Sequence, residues 1–128
     1  MDPSEVLDGA TVVVADGVYA VCRTDDPDPD AFATIQDDSE TTVVVDEASP
    51  TVAEAVEVDR GWRRLTFDVT LPFDLVGFLS VVASALADAD VSVFVVSAYS
   101  TDHVLVKASD LDRATQTLRE LGCTVRRK

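Results

Sequence analysis

Lysine is nearly absent from this chain: Lys107 and Lys128 are the only two in 128 residues, against eight arginines. Acidic residues number 24, of which 18 are aspartates, and the formal net charge at pH 7 is −14. These acidic residues are spread along the whole sequence instead of forming one tail. Their distribution predicts a charged coat on an ordinary globular fold.

The charge composition resembles that of cytoplasmic proteins from high-salt organisms, in which salt screens the repulsion between carboxylates. An ordinary acidic protein is the alternative, and the scarcity of lysine makes it the less favoured one. In either case, nucleic acid and anionic membranes are not expected as partners, because both require clustered positive charge.

Histidine and cysteine are also scarce, with one and two residues respectively. Cys22 and Cys123 fit no metal-ligand spacing and each lies in an apolar strand pattern, so we interpret them as buried free thiols. We expect no metal, no cofactor and no catalytic site, since the sequence shows no nucleophile–base pair and no phosphate loop. No signal peptide and no membrane span are evident, which predicts a cytoplasmic protein.

Apolar patterning is strong, with 47% hydrophobic residues, and it is clearest in the second half of the chain. From Trp62 the order of predicted elements is β-α-β-β-α-β, which gives a four-stranded antiparallel sheet with both helices on one face. The fold class is therefore α+β and ferredoxin-like over residues 60–128. Residues 1–59 are strand-rich with weak helices, and we predict one hairpin at Asp16-Gly17 and another at Arg60-Gly61.

Two polar turns at the ends of these elements are candidates for function. Asp74 stands where a helix N-cap belongs, and Gly77 would lie in the first helical turn. Gly77 either allows a ligand to approach the backbone or permits close packing of the helix on its sheet, and both explanations are equally favoured. The polar residues between the next two strands either bind a ligand or form a plain polar β-turn, and physics alone favours the turn. These residues are Ser97, Ser100, Thr101 and Asp102.

The segment Asp74-Leu75-Val76-Gly77, followed by VSVFVVSAYSTDHVLVK, resembles the ACT domain superfamily. More narrowly it is similar to the small tandem-ACT proteins that include the animal arginine sensors of the CASTOR type. The resemblance covers about residues 60–125, and it implies that residues 1–59 are a degenerate ACT-like half.

A regulatory, non-catalytic protein that binds an amino acid is the function which this resemblance implies. Asp102 corresponds to an acidic position that pairs with a cationic group of the ligand, and Tyr99 either flanks the pocket or covers the sheet edge. The alternative is a structural or partner-regulating module that has kept the ACT fold and lost its ligand. Unpaired sheet edges make a homodimer the expected assembly, with a regulated protein as a possible partner. The implied ligand-binding residues are Asp74, Leu75, Val76, Gly77, Ser97, Tyr99, Ser100, Thr101 and Asp102.

Overall fold

The computed structural model describes residues 2–72 and 77–128, so Asp74, Leu75 and Val76 of the predicted site lie outside the described residues. The described residues form four helices and eight strands, and a 3-10 turn, Ala108–Asp110, precedes the last helix. The helices are α1 (Pro3–Leu7), α2 (Thr51–Glu54), α3 (Phe78–Asp88) and α4 (Leu111–Glu120). The strands are β1 (Thr11–Val14), β2 (Tyr19–Thr24), β3 (Ala33–Gln36), β4 (Thr41–Asp46), β5 (Glu57–Asp68), β6 (Val93–Ser97), β7 (Asp102–Lys107) and β8 (Thr124–Arg127).

The chain divides into two compact units. Residues 1–16 and 63–128 form one of them, which we call the helical unit, and Gly17–Trp62 form the other, the strand-rich unit. Residues 1–16 therefore group with the C-terminal half, although the sequence suggested a first half that ends at residue 59. The reason is that β1 pairs with β5 and β8.

The sheet of the helical unit has the strand order β8-β1-β5-β7-β6. Alternate residues of β1, β5 and β7 turn one face of this sheet towards α3 and α4, as the period of two in a strand requires. The ferredoxin-like α+β architecture predicted from the sequence is thus confirmed. The core of this unit includes Val12, Val14, Leu65, Phe67, Phe78, Val82, Leu86, Val104, Val106, Ala114 and Leu118, all of them buried.

An inserted strand distinguishes this sheet from the predicted four-stranded one. β1 lies between β5 and β8, antiparallel to the first and parallel to the second. The prediction of a hairpin at Asp16-Gly17 is wrong, because β1 pairs with residues 65–68 of β5 whereas β2 pairs with residues 57–62. An Asp-Gly pair permits a positive φ, here +87° at Gly17, but it does not decide which strands pair.

The strand-rich unit is an antiparallel sheet with the order β3-β4-β2-β5. Its small core consists of Ala20, Cys22, Val43, Val45 and Val52, the last from the single turn of α2. Residues 25–32 stand between β2 and β3, where a ferredoxin-like repeat has its first helix, and they form no helix. Asp28 of this segment accepts hydrogen bonds from Thr51 Oγ1 at 2.6 Å and Ser49 Oγ at 3.3 Å.

The predicted hairpin at Arg60-Gly61 is also wrong, since β5 runs through both residues as one strand of 12 residues. Between the pairs Tyr19–Trp62 and Val21–Asp59 the register shifts, so β5 carries a bulge there. Gly61 adopts φ +82° in this bulge, a conformation that glycine takes without steric cost.

Among the described residues, no helix has both the length and the apolar character that a membrane crossing requires.

Candidate functional site

A surface cleft of about 370 Å³ lies in the helical unit, where the start of α3 meets the turn between β6 and β7. Six of the nine sequence-predicted site residues line it, and the other three are outside the described residues. The cleft therefore brings together the two polar turns singled out in the sequence. The predicted residues that line it are Gly77, Ser97, Tyr99, Ser100, Thr101 and Asp102.

The turn between β6 and β7 is held by hydrogen bonds at both of its ends. Ala98 N–H donates to the carbonyl of Thr101 at 2.8 Å, and Ser97 Oγ donates to Asp102 Oδ1 at 2.5 Å. Asp102 is partly buried, and its carboxylate contributes negative charge to the cleft. These bonds fix the direction of the Ser97 hydroxyl and the Asp102 carboxylate before any ligand arrives.

Two further hydrogen bonds connect this turn to the end of β5 and the segment that follows it. Thr101 Oγ1 donates to the carbonyl of Phe67 at 2.7 Å, and Leu71 N–H donates to the carbonyl of Ser100 at 2.7 Å. The turn is thus attached to Phe67 and Leu71 by one side-chain donor and one backbone donor. Such a site keeps its shape better than one built on two independent loops.

The start of α3 supplies the opposite electrostatic character. The helix begins at Phe78, and Gly77 precedes it with φ +88° and ψ −2°. The predicted placement of Gly77 inside the first helical turn is therefore wrong, because Gly77 is the N-cap of α3. The left-handed conformation explains the glycine, because other residues adopt it only with strain. The first N–H groups of a helix lack intrahelical acceptors and carry partial positive charge, which favours an anionic group.

Apolar side chains complete the lining, and the sequence did not predict their role. Leu71, Pro72, Phe78 and Leu79 all line the cleft. Phe78 also packs edge-on against Phe67, with the ring centroids 5.1 Å apart. From the helical periodicity, Phe78 and Leu79 were predicted to lie in the core. Phe78 is indeed buried, but it also lines the cleft, which the periodicity does not indicate. Tyr99 is 79% exposed at the mouth of the cleft.

The surroundings of two cysteines and a histidine outside the lining of the cleft shift their pKa values. Burial raises the pKa of both Cys22 and Cys123, so each thiol stays protonated near neutral pH. Burial first, and then the charge of Arg64, lowers the pKa of His103, while Asp102 opposes the change. In residues 2–72 and 77–128, no three His, Cys, Asp or Glu side chains cluster as metal ligands.

Comparison with known proteins gives a family match and several structural matches. Residues 57–120, half of the chain, match the family model of the ACT domain. A crystal structure of a protein from Agobacterium tumefaciens is similar with a TM-score of 0.78 and 25% identity, over 94% of each chain. A protein of unknown function from Vibrio cholerae, described as a possible transport protein, matches with a TM-score of 0.75 and 21% identity, over 93% of this chain and 94% of that one.

The regulatory subunit of aspartate kinase from Thermus thermophilus, in its ligand-free form, has a similar fold. Its TM-score is 0.60 at 13% identity, and the match covers 86% of this chain and 95% of that chain.

Proposed function

Because this chain belongs to the ACT-domain family, we propose that it is a regulatory, non-catalytic protein that binds an amino acid in the cleft described above. One observation carries the proposal. The cleft places a carboxylate and a hydroxyl on one side and the N-terminus of an 11-residue helix on the other.

The two sides match the two charged groups of an amino acid. Asp102 and Ser97 Oγ are suited to an ammonium or guanidinium, since carboxylate and hydroxyl oxygens accept its hydrogen bonds. The first N–H groups of α3 are suited to the α-carboxylate. Leu71, Phe78 and Leu79 leave apolar surface for the aliphatic part of a ligand.

We also place the chain among tandem-ACT proteins, with the strand-rich unit as a degenerate second copy. The order β3-β4-β2-β5 in that unit is the strand order 2-3-1-4 of a β-α-β-β-α-β repeat. α2 occupies the position of the second helix, and residues 25–32 stand in place of the first. The CASTOR-like sensors are the tandem-ACT proteins with the sequence resemblance noted above.

The absence of that first helix favours the alternative function. In the strand-rich unit, residues 25–32 provide no helix N-terminus to match that of α3. A protein of this kind would keep the fold and regulate a partner without a ligand. The two functions differ in whether a free amino acid changes the stability of the isolated protein.

The proposal also includes the salt environment of the protein and its oligomeric state. The net charge of −14 and the scarcity of lysine support a cytoplasm with high salt. In the sheet of the helical unit, β6 pairs with β7 and stands at the end of the strand order. Pairing of this edge with a second copy would give the homodimer that we expect.

A thermal-shift panel of the common amino acids in molar KCl tests the function. A ligand at 100 times its dissociation constant adds about 2.7 kcal/mol to the free energy of unfolding. We expect one amino acid to raise the midpoint by several degrees, and Asp102→Asn to remove the effect. Asp88→Asn is the matched control, because it makes the same charge change at an exposed position of α3 outside the cleft. A flat panel on folded protein would instead support the partner-regulating module.

A further inference from the structure

A second cleft, of about 220 Å³, lies in the helical unit and shares no residue with the first. We call it the cationic trough. Three of the ten basic residues of the chain line it, together with a single acidic one. Its lining consists of Val13, Ala15, Arg64, Thr66, Asp68, Arg126 and Lys128.

The inserted strand β1 forms the floor of this trough. Val13 is paired with Thr66 of β5 on one side and with Arg126 of β8 on the other, so the three residues form one row across the sheet. Val12 and Val14 are buried on the helix side, so Val13 faces away from the helices. With strands about 4.8 Å apart, β5 and β8 are roughly 10 Å apart across β1. In the predicted sheet these two strands would be neighbours, and no trough would open.

The wall on β5 is organised by hydrogen bonds. Arg64 Nη1 donates to Thr66 Oγ1 at 3.1 Å, and Thr66 Oγ1 is 2.7 Å from His103 Nδ1. The Arg64 guanidinium is thereby held along the trough. Its charge also contributes to the lowered pKa of His103, after the larger effect of burial, which indicates a positive field at this face.

The opposite wall contributes Arg126 of β8 and Lys128, which follows that strand. An ion pair between Arg126 Nη2 and Asp68 Oδ2 is 3.7 Å long, and its side chains are 58% and 66% exposed. An exposed pair of this length is weak, so Asp68 offsets little of the binding capacity of Arg126. With three basic groups and one carboxylate, the side chains of the trough sum to a formal charge of +2, although the whole chain carries −14.

From this placement we propose that the cationic trough binds a small oxyanion, a phosphate or a carboxylate, between Arg64 on one wall and Arg126 on the other. Guanidinium groups match the oxygen pairs of both anions, since their planar N–H donors form two parallel hydrogen bonds. Thr66 Oγ1 holds the Arg64 guanidinium in place, and Val13 and Ala15 leave space above the floor. The site is independent of the amino-acid cleft, so either can exist without the other.

The test is a titration of the ¹⁵N-labelled protein with inorganic phosphate, and separately with succinate, at constant ionic strength in KCl. We expect saturable chemical-shift changes at the amides of Val13, Thr66 and Arg126 with at least one of the two anions. Phosphate alone, or succinate alone, identifies the class of oxyanion. Absence of localised changes with both anions would overturn the proposal.

Variants assign the binding to the trough. Arg64→Gln and Arg126→Gln should each weaken the affinity by about tenfold, the effect of losing one charge-assisted hydrogen bond. Arg119→Gln removes the same charge from an exposed position on α4 and should leave the affinity unchanged. Equal losses in all three variants would show a general charge effect and would contradict the proposal.

Discussion

Thr66 and His103, which lie on the paired strands β5 and β7, share a hydrogen bond of 2.7 Å between Thr66 Oγ1 and His103 Nδ1. The same hydroxyl accepts the Arg64 guanidinium at 3.1 Å. Since an arginine only donates, the Thr66 hydroxyl accepts from it and is free to donate to the histidine. Donation to Nδ1 places the proton of the neutral imidazole on Nε2, and the lowered pKa of His103 favours the neutral ring.

Thr66→Val keeps the shape of the side chain and removes both hydrogen bonds. We expect the free energy of unfolding to fall by about 1–2 kcal/mol, because two partly buried partners lose one hydrogen bond each. Urea denaturation at pH 7.5 measures the change. Thr70→Val, at an exposed position, is the control and should change stability little. An equally stable Thr66→Val variant would contradict the structural role of this hydrogen bond.

His103 should make stability depend on pH below its unfolded pKa of about 6.5. Its pKa is lowered in the folded protein, so the unfolded chain binds more protons below its own value of about 6.5. Stability is therefore full above that value and declines as the pH falls towards the folded pKa. His103→Asn keeps an acceptor near Thr66 and cannot be protonated, so its unfolding midpoint should fall less between pH 7 and pH 5.5. Equal declines in both proteins would refute the assignment to His103.

Asp28 should stabilise the strand-rich unit through its hydrogen bonds with Thr51 and Ser49. The Thr51 hydroxyl first, and then the backbone N–H of Asp30, lower the pKa of Asp28. Its contribution is thus present above the unfolded value of about 3.9 and is lost as the pH falls through the folded pKa. Asp28→Asn should lower the melting temperature at pH 7, and the difference from wild type should shrink in acid.

The control for Asp28 is Asp30→Asn, which makes the same charge change in the same exposed segment. A similar loss of stability in both variants would mean that the segment responds only to charge.

Alanine substitutions at Gly122 and Gly9 distinguish the cost of a steric contact from the cost of backbone strain. Both have positive φ, +102° and +81°, so alanine at either position costs about 1–2 kcal/mol in strain. A Cβ on Gly122 would also lie 3.0 Å from Asp8 Cα, whereas one on Gly9 meets nothing within 4 Å. Gly122→Ala should therefore lose about 1 kcal/mol more than Gly9→Ala in chemical denaturation. Equal losses would show that the chain near Asp8 moves aside without cost.

The second half of the chain was predictable because its signals are local. The apolar stripe of α3, the apolar run of β6 and the stop at Gly122 each depend on spacing within one element. The first half was not, because Asp16-Gly17 and Arg60-Gly61 have the composition of turns but occupy a connection and a bulge. A hairpin turn differs from a connection or a bulge in which strands pair on either side of it. The local residue pattern does not specify those strand pairings.

Part of the candidate site was predictable from the sequence, and part was not. The polar turn at Ser97–Asp102 was identified from its residues, and the structure brings it beside Gly77. The cationic trough was not identified, because Arg64 and Arg126 are 62 positions apart in the sequence. They line one trough only because β1 lies between their strands, which the sequence pattern did not predict. Helix α1 was missed because its five residues are too few for a periodic signal, although Asp2 caps it through Ser4 N–H at 2.8 Å.

Strand β5 has a consequence for how this chain can be dissected. Its residues up to Trp62 close the sheet of one unit, and those from Arg63 onward stand in the sheet of the other. β1 adds a second obstacle, because it precedes the strand-rich unit in sequence and belongs to the helical one. No single cut of the polypeptide releases both units with all their strands. A fragment that starts at Arg63 would lack β1, so it would not contain the complete sheet of the helical unit.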